Sequence, residues 1–348
     1  MELQLTDEQE MLAESIRELV GRRSGEDGIV SAEAGESVWR ELVDFGVLEI
    51  GPSEAELGTV DLALVARALG ERLAAVPLVD TAALLLGAGA ELEGTDVSSA
   101  ALGLSEHERS FAPTRPSTML EGDRVSGSKT SVVLADTCAL RALPAGTTDG
   151  AVLALVRPDA PGVELELEPT LDPSLRPATV RLDGAAPERV LGSTSSVDQV
   201  AATAAVLAAA EAVGTAASVL ALARDYAAER RQFGHTIGSF QAVRHMLADM
   251  VVLTESSWSS VLYAAASLDE GEPDSLRTAA VAKAWTSRAT LDVAHGALQV
   301  FGGVAFTAEH RAHLYLRRIA SLGSRYGSAA DHERELGRSL APQLEVST

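Results

Sequence analysis

ERRQFGHTIGSFQAVRHMLADM, residues 229–250, interrupts one helical pattern and starts another. Upstream, from about 198, the chain is Ala-rich for over thirty residues, which predicts a single helix of about 50 Å at 1.5 Å per residue. Arg230 and Arg231 end it, where cations complement the negative end of the helix dipole. Gln232-Phe233-Gly234 makes a short loop, and an amphipathic pattern resumes at Phe240. The chain carries a formal charge of −22, so adjacent arginines at such a break raise a second reading. A guanidinium with nearby backbone is also a phosphate-holding corner, because Arg binds phosphate bidentately. Spacing alone does not separate the two.

A second break lies in LQVFGGVAFTAEH, residues 298–310. Gln299 sits late in a helical pattern, and Gly302-Gly303 permits positive φ and close approach of a ligand to the backbone. The plainer reading is a glycine C-cap followed by Thr307 as the N-cap of the next helix. Segments 240–270, 273–300 and 306–322 are expected helices, and their small residues suit close packing in a bundle.

The first 100 residues also have helical spacing. Thr6 with Glu10 has the look of a capping box, and Met11, Leu12, Ile16, Leu19 and Val20 repeat along one face. In VWRELVDFGVLEI, Val38, Leu42, Phe45 and Val47 fall roughly on one side, with a stop near Gly46. VDLALVARALGERLAAVPL is apolar around most of its circumference, which predicts deep burial. Between 101 and 192 the texture changes to short β-type runs (SVVLA, AVLALV, ATVRL) separated by turn clusters. GVELELEP alternates Val163, Leu165 and Leu167 with glutamates, a half-buried strand. The expected order is helical over 1–100, β over 101–192 and helical over 193–348.

Composition narrows the function classes. The net charge argues against nucleic acid or an anionic membrane as partner. Of 28 basic residues 26 are Arg, and the only lysines are Lys129 and Lys283. No apolar run reaches the ~18 residues of a membrane span, and the N-terminus lacks the pattern of a secretory signal. Cys138 is the only cysteine, which fits a reducing cytoplasm and removes a cysteine-based zinc cluster. The histidines, including His295 and His310, show no metal-like grouping.

Taken together, the 229–250 stretch and LQVFGG resemble the acyl-CoA dehydrogenase family. LTDEQEMLAESIRELV is similar to the family's opening helix, WRELVDFGVLEI to its next segment, and RVSGSKTSVVLADT to part of its middle domain. The resemblance implies a multi-domain α+β fold: an N-terminal helical domain, a central β domain and a C-terminal four-helix bundle. It also implies FAD, an acyl-CoA substrate, an electron-transfer acceptor and assembly into tetramers. In such tetramers each FAD lies in one subunit's middle domain and is held across an interface by a neighbour's bundle. The residues matching that lent half are Arg230, Gln232, Phe233, Phe240, Gln241, Gln299, Gly302 and Gly303.

The chain departs from the family at two places. The usual base is the glutamate of an EGT triplet beyond an Arg-Asp pair. Aligning Arg317-Arg318 with that pair puts Tyr326 at the base position, a poor base given a phenol pKa near ~10. The alternative base position, on the long helix, is occupied by Ala221-Leu222-Ala223, with Asp225, Glu211 and Glu229 as the carboxylates of that helix left to consider. The middle-domain flavin loop retains only Ser105-Glu106, and Thr-Ser-Val-Val after Lys129 offers no aromatic to a flavin ring. The resemblance is therefore to the non-catalytic subunit of heterotetrameric acyl-CoA dehydrogenases of bacterial steroid side-chain β-oxidation, paired with a homologous catalytic subunit. A homomeric acyl dehydrogenase with a relocated base and a flavin-free structural bundle remain as alternatives.

Overall fold

The computed structural model describes residues 4–51, 57–107, 111–307 and 309–345. Helices α1 (Asp7–Arg22), α2 (Ala32–Phe45), α3 (Thr59–Glu71) and α4 (Leu78–Ala88) come first. Thr6 does cap α1 through a capping box, but the reciprocal partner is Gln9 rather than Glu10, with both bonds at 3.2 Å. The box closes on the third helical residue, and Gln9 holds that place. Ile16, Leu19 and Val20 are buried, whereas Met11 points out at 69% exposure. In α2, Val38 and Leu42 face the core, and the chain turns through Gly46 at φ 102°. That left-handed turn carries Val47 inward and leaves Phe45 half exposed. α3 is buried nearly all round, as its apolar circumference requires.

Strands β1 (Ala100–Leu102), β2 (Met119–Glu121), β3 (Arg124–Val133), β4 (Leu140–Thr147), β5 (Gly150–Val156), β6 (Val163–Leu167), β7 (Pro177–Ala185) and β8 (Arg189–Leu191) form one sheet. The order is β6-β7-β3-β2-β4-β5-β8, with β1 added in parallel to β4. β6 lies at the edge, so Val163 and Leu165 are half-buried while Leu167, at the open end, is exposed. β3 bulges between Lys129 and Val132, where Ser131 adopts φ 55°.

α5 (Thr194–Glu229) is the long Ala-rich helix, 36 residues. Contrary to the expectation from apolar runs, α5 is by length and composition long and apolar enough to cross a membrane; 72% of its apolar window, however, is buried inside the protein. A two-residue hairpin, β9 (Arg231–Gln232) with β10 (His235–Thr236), precedes α6 (Gln241–Asp269). α7 (Ser275–Phe301), α8 (Ala312–Ser324) and α9 (Ala329–Glu345) complete the bundle. Thr307 does not cap α8. Its hydroxyl bonds back to Val304 O at the end of a short 3₁₀ turn, and the first amide of α8, Ala312 N, is taken by His310 Nδ1 at 3.2 Å.

Where α3 crosses α5, the two backbones touch. A Cβ on Gly70 would lie 2.0 Å from Glu211 O, and one on Gly214 would lie 1.9 Å from Arg67 O. Thr215 Oγ1 donates to Gly70 O at 3.2 Å, and Ser218 Oγ to Glu71 O at 2.9 Å, sealing the crossing. Gly214→Ala must spread the helices and is expected to cost about 1–3 kcal/mol or more, read as a lowered urea midpoint. An unchanged midpoint would show that the crossing tolerates separation.

Candidate functional site

α5 ends with Arg230 N donating to Tyr226 O at 2.8 Å, while Arg230 itself is extended. Ile237 N returns to Arg230 O at 2.8 Å and closes the hairpin loop. Phe233 and Gly234, at φ 53° and 83°, form a turn with two left-handed residues, the geometry a two-residue hairpin prefers. Gly238 lets the loop lie on α5, since a Cβ there would meet Ala227 O at 2.9 Å. Phe233 is 89% exposed and meets Phe240 edge-on, with ring centroids 6.3 Å apart. α6 starts at the next residue, Gln241.

α7 ends at Phe301, and Gly302 turns away at φ 68°. Tyr226 and Phe301 meet with ring centroids 5.3 Å apart, so the ends of α5 and α7 lie side by side. Arg230, Gln232, Phe233, Phe240, Gln241, Gln299, Gly302 and Gly303 are all exposed at this end of the bundle. Among the described residues, the side chains of Arg230, Gln232, Gln241 and Gln299 have no hydrogen-bond or ion-pair partner. A free guanidinium beside a helix N-terminus and an open glycine backbone suits a diphosphate.

Tyr326 is elsewhere, buried at φ 58° between α8 and α9. Its hydroxyl donates to Asp80 Oδ1, and Arg325 pairs with Asp80 Oδ2 while lying over the Tyr326 ring. Burial pushes the phenol well above its ordinary value, so it holds its proton at neutral pH. Burial also raises Asp80, against the opposing pull of Arg325.

Eight residues earlier, on α8, Arg318 is 1% exposed and makes five bonds. Its guanidinium meets Asp172 Oδ2 at 2.5 Å, Glu211 Oε1 at 2.8 Å, Ser174 Oγ at 2.7 Å and Leu73 O at 3.0 Å. Glu211 is thus bound inside the protein, its carboxyl raised by burial, and Asp225 is exposed and paired with Arg224.

A cleft of about 330 Å³ separates Thr130, Ser131 and Val133 of β3 from Ser321, Ser324, Arg325 and Tyr326. Glu168 is the only carboxylate among its described lining residues. Both of its oxygens are occupied, by Ser131 N at 2.9 Å, Thr179 Oγ1 at 2.7 Å and Ser131 Oγ at 3.2 Å. A second cleft, about 400 Å³, is lined by Phe111, Arg115 and His332. Between the two stands a wall: His332 Nε2 lies 2.9 Å from Tyr326 O, and the Phe111 and His332 rings meet at 5.9 Å. Burial lowers His332 to about 4, so this ring is neutral.

Comparison with known proteins agrees with these features. A family model for the acyl-CoA dehydrogenase C-terminal domain matches residues 197–340. Acyl-CoA dehydrogenase IpdE2 of Mycobacterium tuberculosis is 31% identical over 355 residues, 97% of this chain and 98% of the relative. The chain belongs to the acyl-CoA dehydrogenase family. Acyl-CoA dehydrogenase FadE27 of the same organism is 28% identical over 87% of this chain and 88% of its own length. The ChsE4–ChsE5 complex from M. tuberculosis superposes with a TM-score of 0.86 at 25% identity, covering 98% of this chain and 99% of that one. A variant of the Tcur3481–Tcur3483 steroid ACAD gives 0.88 at 26% identity, covering 97% and 99%.

As an acyl-CoA dehydrogenase the chain is notable for what its buried charges do. Asp80, Asp172 and Arg325 went unremarked in the sequence reading. Two signals were available: Arg318 falls on the buried face of α8 with Ala312, Tyr315, Ile319 and Leu322, and Glu211 interrupts an alanine run. Ser105-Glu106, which resembles part of the family's flavin loop, also turns inward. Glu106 accepts from Lys129 Nζ at 2.7 Å and from the backbone and hydroxyls of Ser117 and Thr118. Burial alone would raise its carboxyl, but Lys129 and Ser117 outweigh that and hold it at about 2. At Lys129 the balance differs: burial outweighs Glu106 and lowers the amine to about 8, because Glu106 has further donors and Lys129 has no second acceptor among the described residues.

Removing Arg318 strands two buried carboxylates, so Arg318→Ala is expected to cost about 3–5 kcal/mol, measured by urea unfolding. A loss under ~1 kcal/mol would deny the guanidinium its part in holding the layers together. Glu106 sets a pH dependence. Its folded value lies below its ordinary 4.5, so its contribution is complete above that pH and disappears as pH falls through about 2. Glu106→Gln should flatten this part of the stability–pH curve relative to wild type; parallel curves would contradict the assignment.

Proposed function

We propose that this chain is the non-catalytic subunit of a heteromeric acyl-CoA dehydrogenase and completes the FAD site of a homologous catalytic partner. One observation carries the reading. The position of the family's base holds a buried, protonated tyrosine bonded to Asp80, while the Arg230 corner and the Gly302-Gly303 turn remain exposed and unpaired. The chain therefore has the surface to hold a diphosphate, and the described residues lining the cleft beside Tyr326 include no carboxylate free to remove an α-proton.

FAD, when bound, supplies the hydride acceptor for oxidation of a CoA thioester to its 2,3-enoyl product. The chain's own residues hold and orient. Arg230 offers a guanidinium to the pyrophosphate, Gln232, Gln241 and Gln299 offer amides, and Gly302-Gly303 lets the cofactor approach the backbone. Phe233 and Phe240 present an aromatic surface that keeps water from this edge. The chain's own middle domain does not fit a flavin. Glu106 is consumed by Lys129, Ser131 is pinned by Glu168, and the Phe111–His332 wall stands across the path from one cleft to the next.

Two of the related structures are named as pairs of distinct proteins, one of them a steroid ACAD, which supports a heteromer and a steroid CoA thioester as substrate by analogy. A separate electron-transfer acceptor would take up the electrons that the bound cofactor receives.

Co-expression with the catalytic homologue tests this. The chain alone should be colourless, and the complex yellow with one FAD per pair of unlike subunits. Yellow protein from the chain alone, bleached by acyl-CoA, would sink the proposal. In the complex, Arg230→Ala should weaken FAD retention more than tenfold, since a charge-assisted bond contributes ~1.5–3 kcal/mol.

A further inference from the structure

The two halves of this FAD-holding surface come from different helices, α5 and α7, separated in sequence by α6. A cofactor that touches both needs their spacing fixed. We infer that Tyr226 and Phe301 are positioning residues that set the Arg230 corner against the Gly302-Gly303 turn. The inference rests on the proposed function above.

Tyr226 reaches both halves. Its carbonyl accepts the Arg230 amide at 2.8 Å, and its ring meets the edge of Phe301, the residue directly before Gly302, at 5.3 Å. The same cluster holds small side chains on both helices, among them Ala223 and Ala227 on α5 and Ala294 and Ala297 on α7. Alanines let helices approach but interlock little, so they do not fix a sliding register. Phe301 is anchored in turn. It tilts against His310 with centroids 4.4 Å apart, and His310 Nδ1 accepts the Ala312 amide at the start of α8.

Phe301 is buried and Tyr226 half-buried, and both rings line a cleft of about 650 Å³ with Leu222, His310 and Leu314, so the ring-to-ring contact joins the ends of α5 and α7 along the wall of that cleft. The Tyr226 hydroxyl has no partner among the described residues, so the ring and not the hydroxyl carries the role.

The test uses the heteromeric complex, with FAD affinity read by flavin fluorescence and subunit stoichiometry measured in parallel. Tyr226→Leu and Phe301→Leu should weaken FAD about fivefold with assembly intact, the fold-change of an aromatic pair. Tyr226→Phe should bind as wild type. A positioning role acts through Arg230, so Arg230→Ala with Tyr226→Leu should lose no more than Arg230→Ala alone, whereas independent structural damage would add. Additive losses, wild-type affinity in Tyr226→Leu, or a weakened Tyr226→Phe would each overturn the inference. If Tyr226→Leu does not assemble, Phe301→Met carries the same expectation. Unchanged FAD affinity in Arg230→Ala itself would instead reject the proposed function, which keeps the two failures apart.

Discussion

A single buried guanidinium holds the three layers in register. Arg318, on α8, bonds the carbonyls of Leu73 and Ala74 just after α3, Asp172 and Ser174 from the loop between β6 and β7, and Glu211 in the middle of α5. Taking one cation and two carboxylates out of water is costly, and it is offset only when nearly every donor and acceptor is used. Arg325 contributes here as well, since both guanidiniums act to lower Glu211 against its burial. Charge is thus spread over a network, with Asp80 on the far side of Arg325. The walls of the interlayer cleft are set by these contacts.

Much of the fold was legible because it depends on periodicity and punctuation. The Gly46 stop, the near-complete burial of α3, the edge-strand alternation of β6 and the break after Glu229 all follow from local patterns. What failed was register at the ends of elements. Gln9 rather than Glu10 closes the first cap, and His310 rather than Thr307 meets the first amide of α8. Such choices depend on offsets of one to three residues, which spacing does not resolve.

The site was legible in a different way. The exposed corner was found because arginines, glycines and an aromatic cluster where the chain turns. The interior network was not, because its members are scattered: Asp80, Asp172, Glu211, Arg318 and Arg325 lie on four separate segments of chain. Long-range ion pairs leave no periodic trace. Their sole local sign is a charge standing where the pattern calls for an apolar side chain, as at Glu211 and Arg318.

The Asp80–Tyr326 bond bears on how reversible this architecture is. A glutamate at position 326 would bring a second carboxylate to the oxygen that the tyrosine hydroxyl now satisfies, where little of the side chain meets water. Removing Asp80 first would leave Arg325 without its counter-ion. Each single change at this pair thus passes through a destabilised protein, although the combined change need not. The bond thus ties Asp80, Arg325 and Tyr326 into one unit, in which no member changes without stranding another.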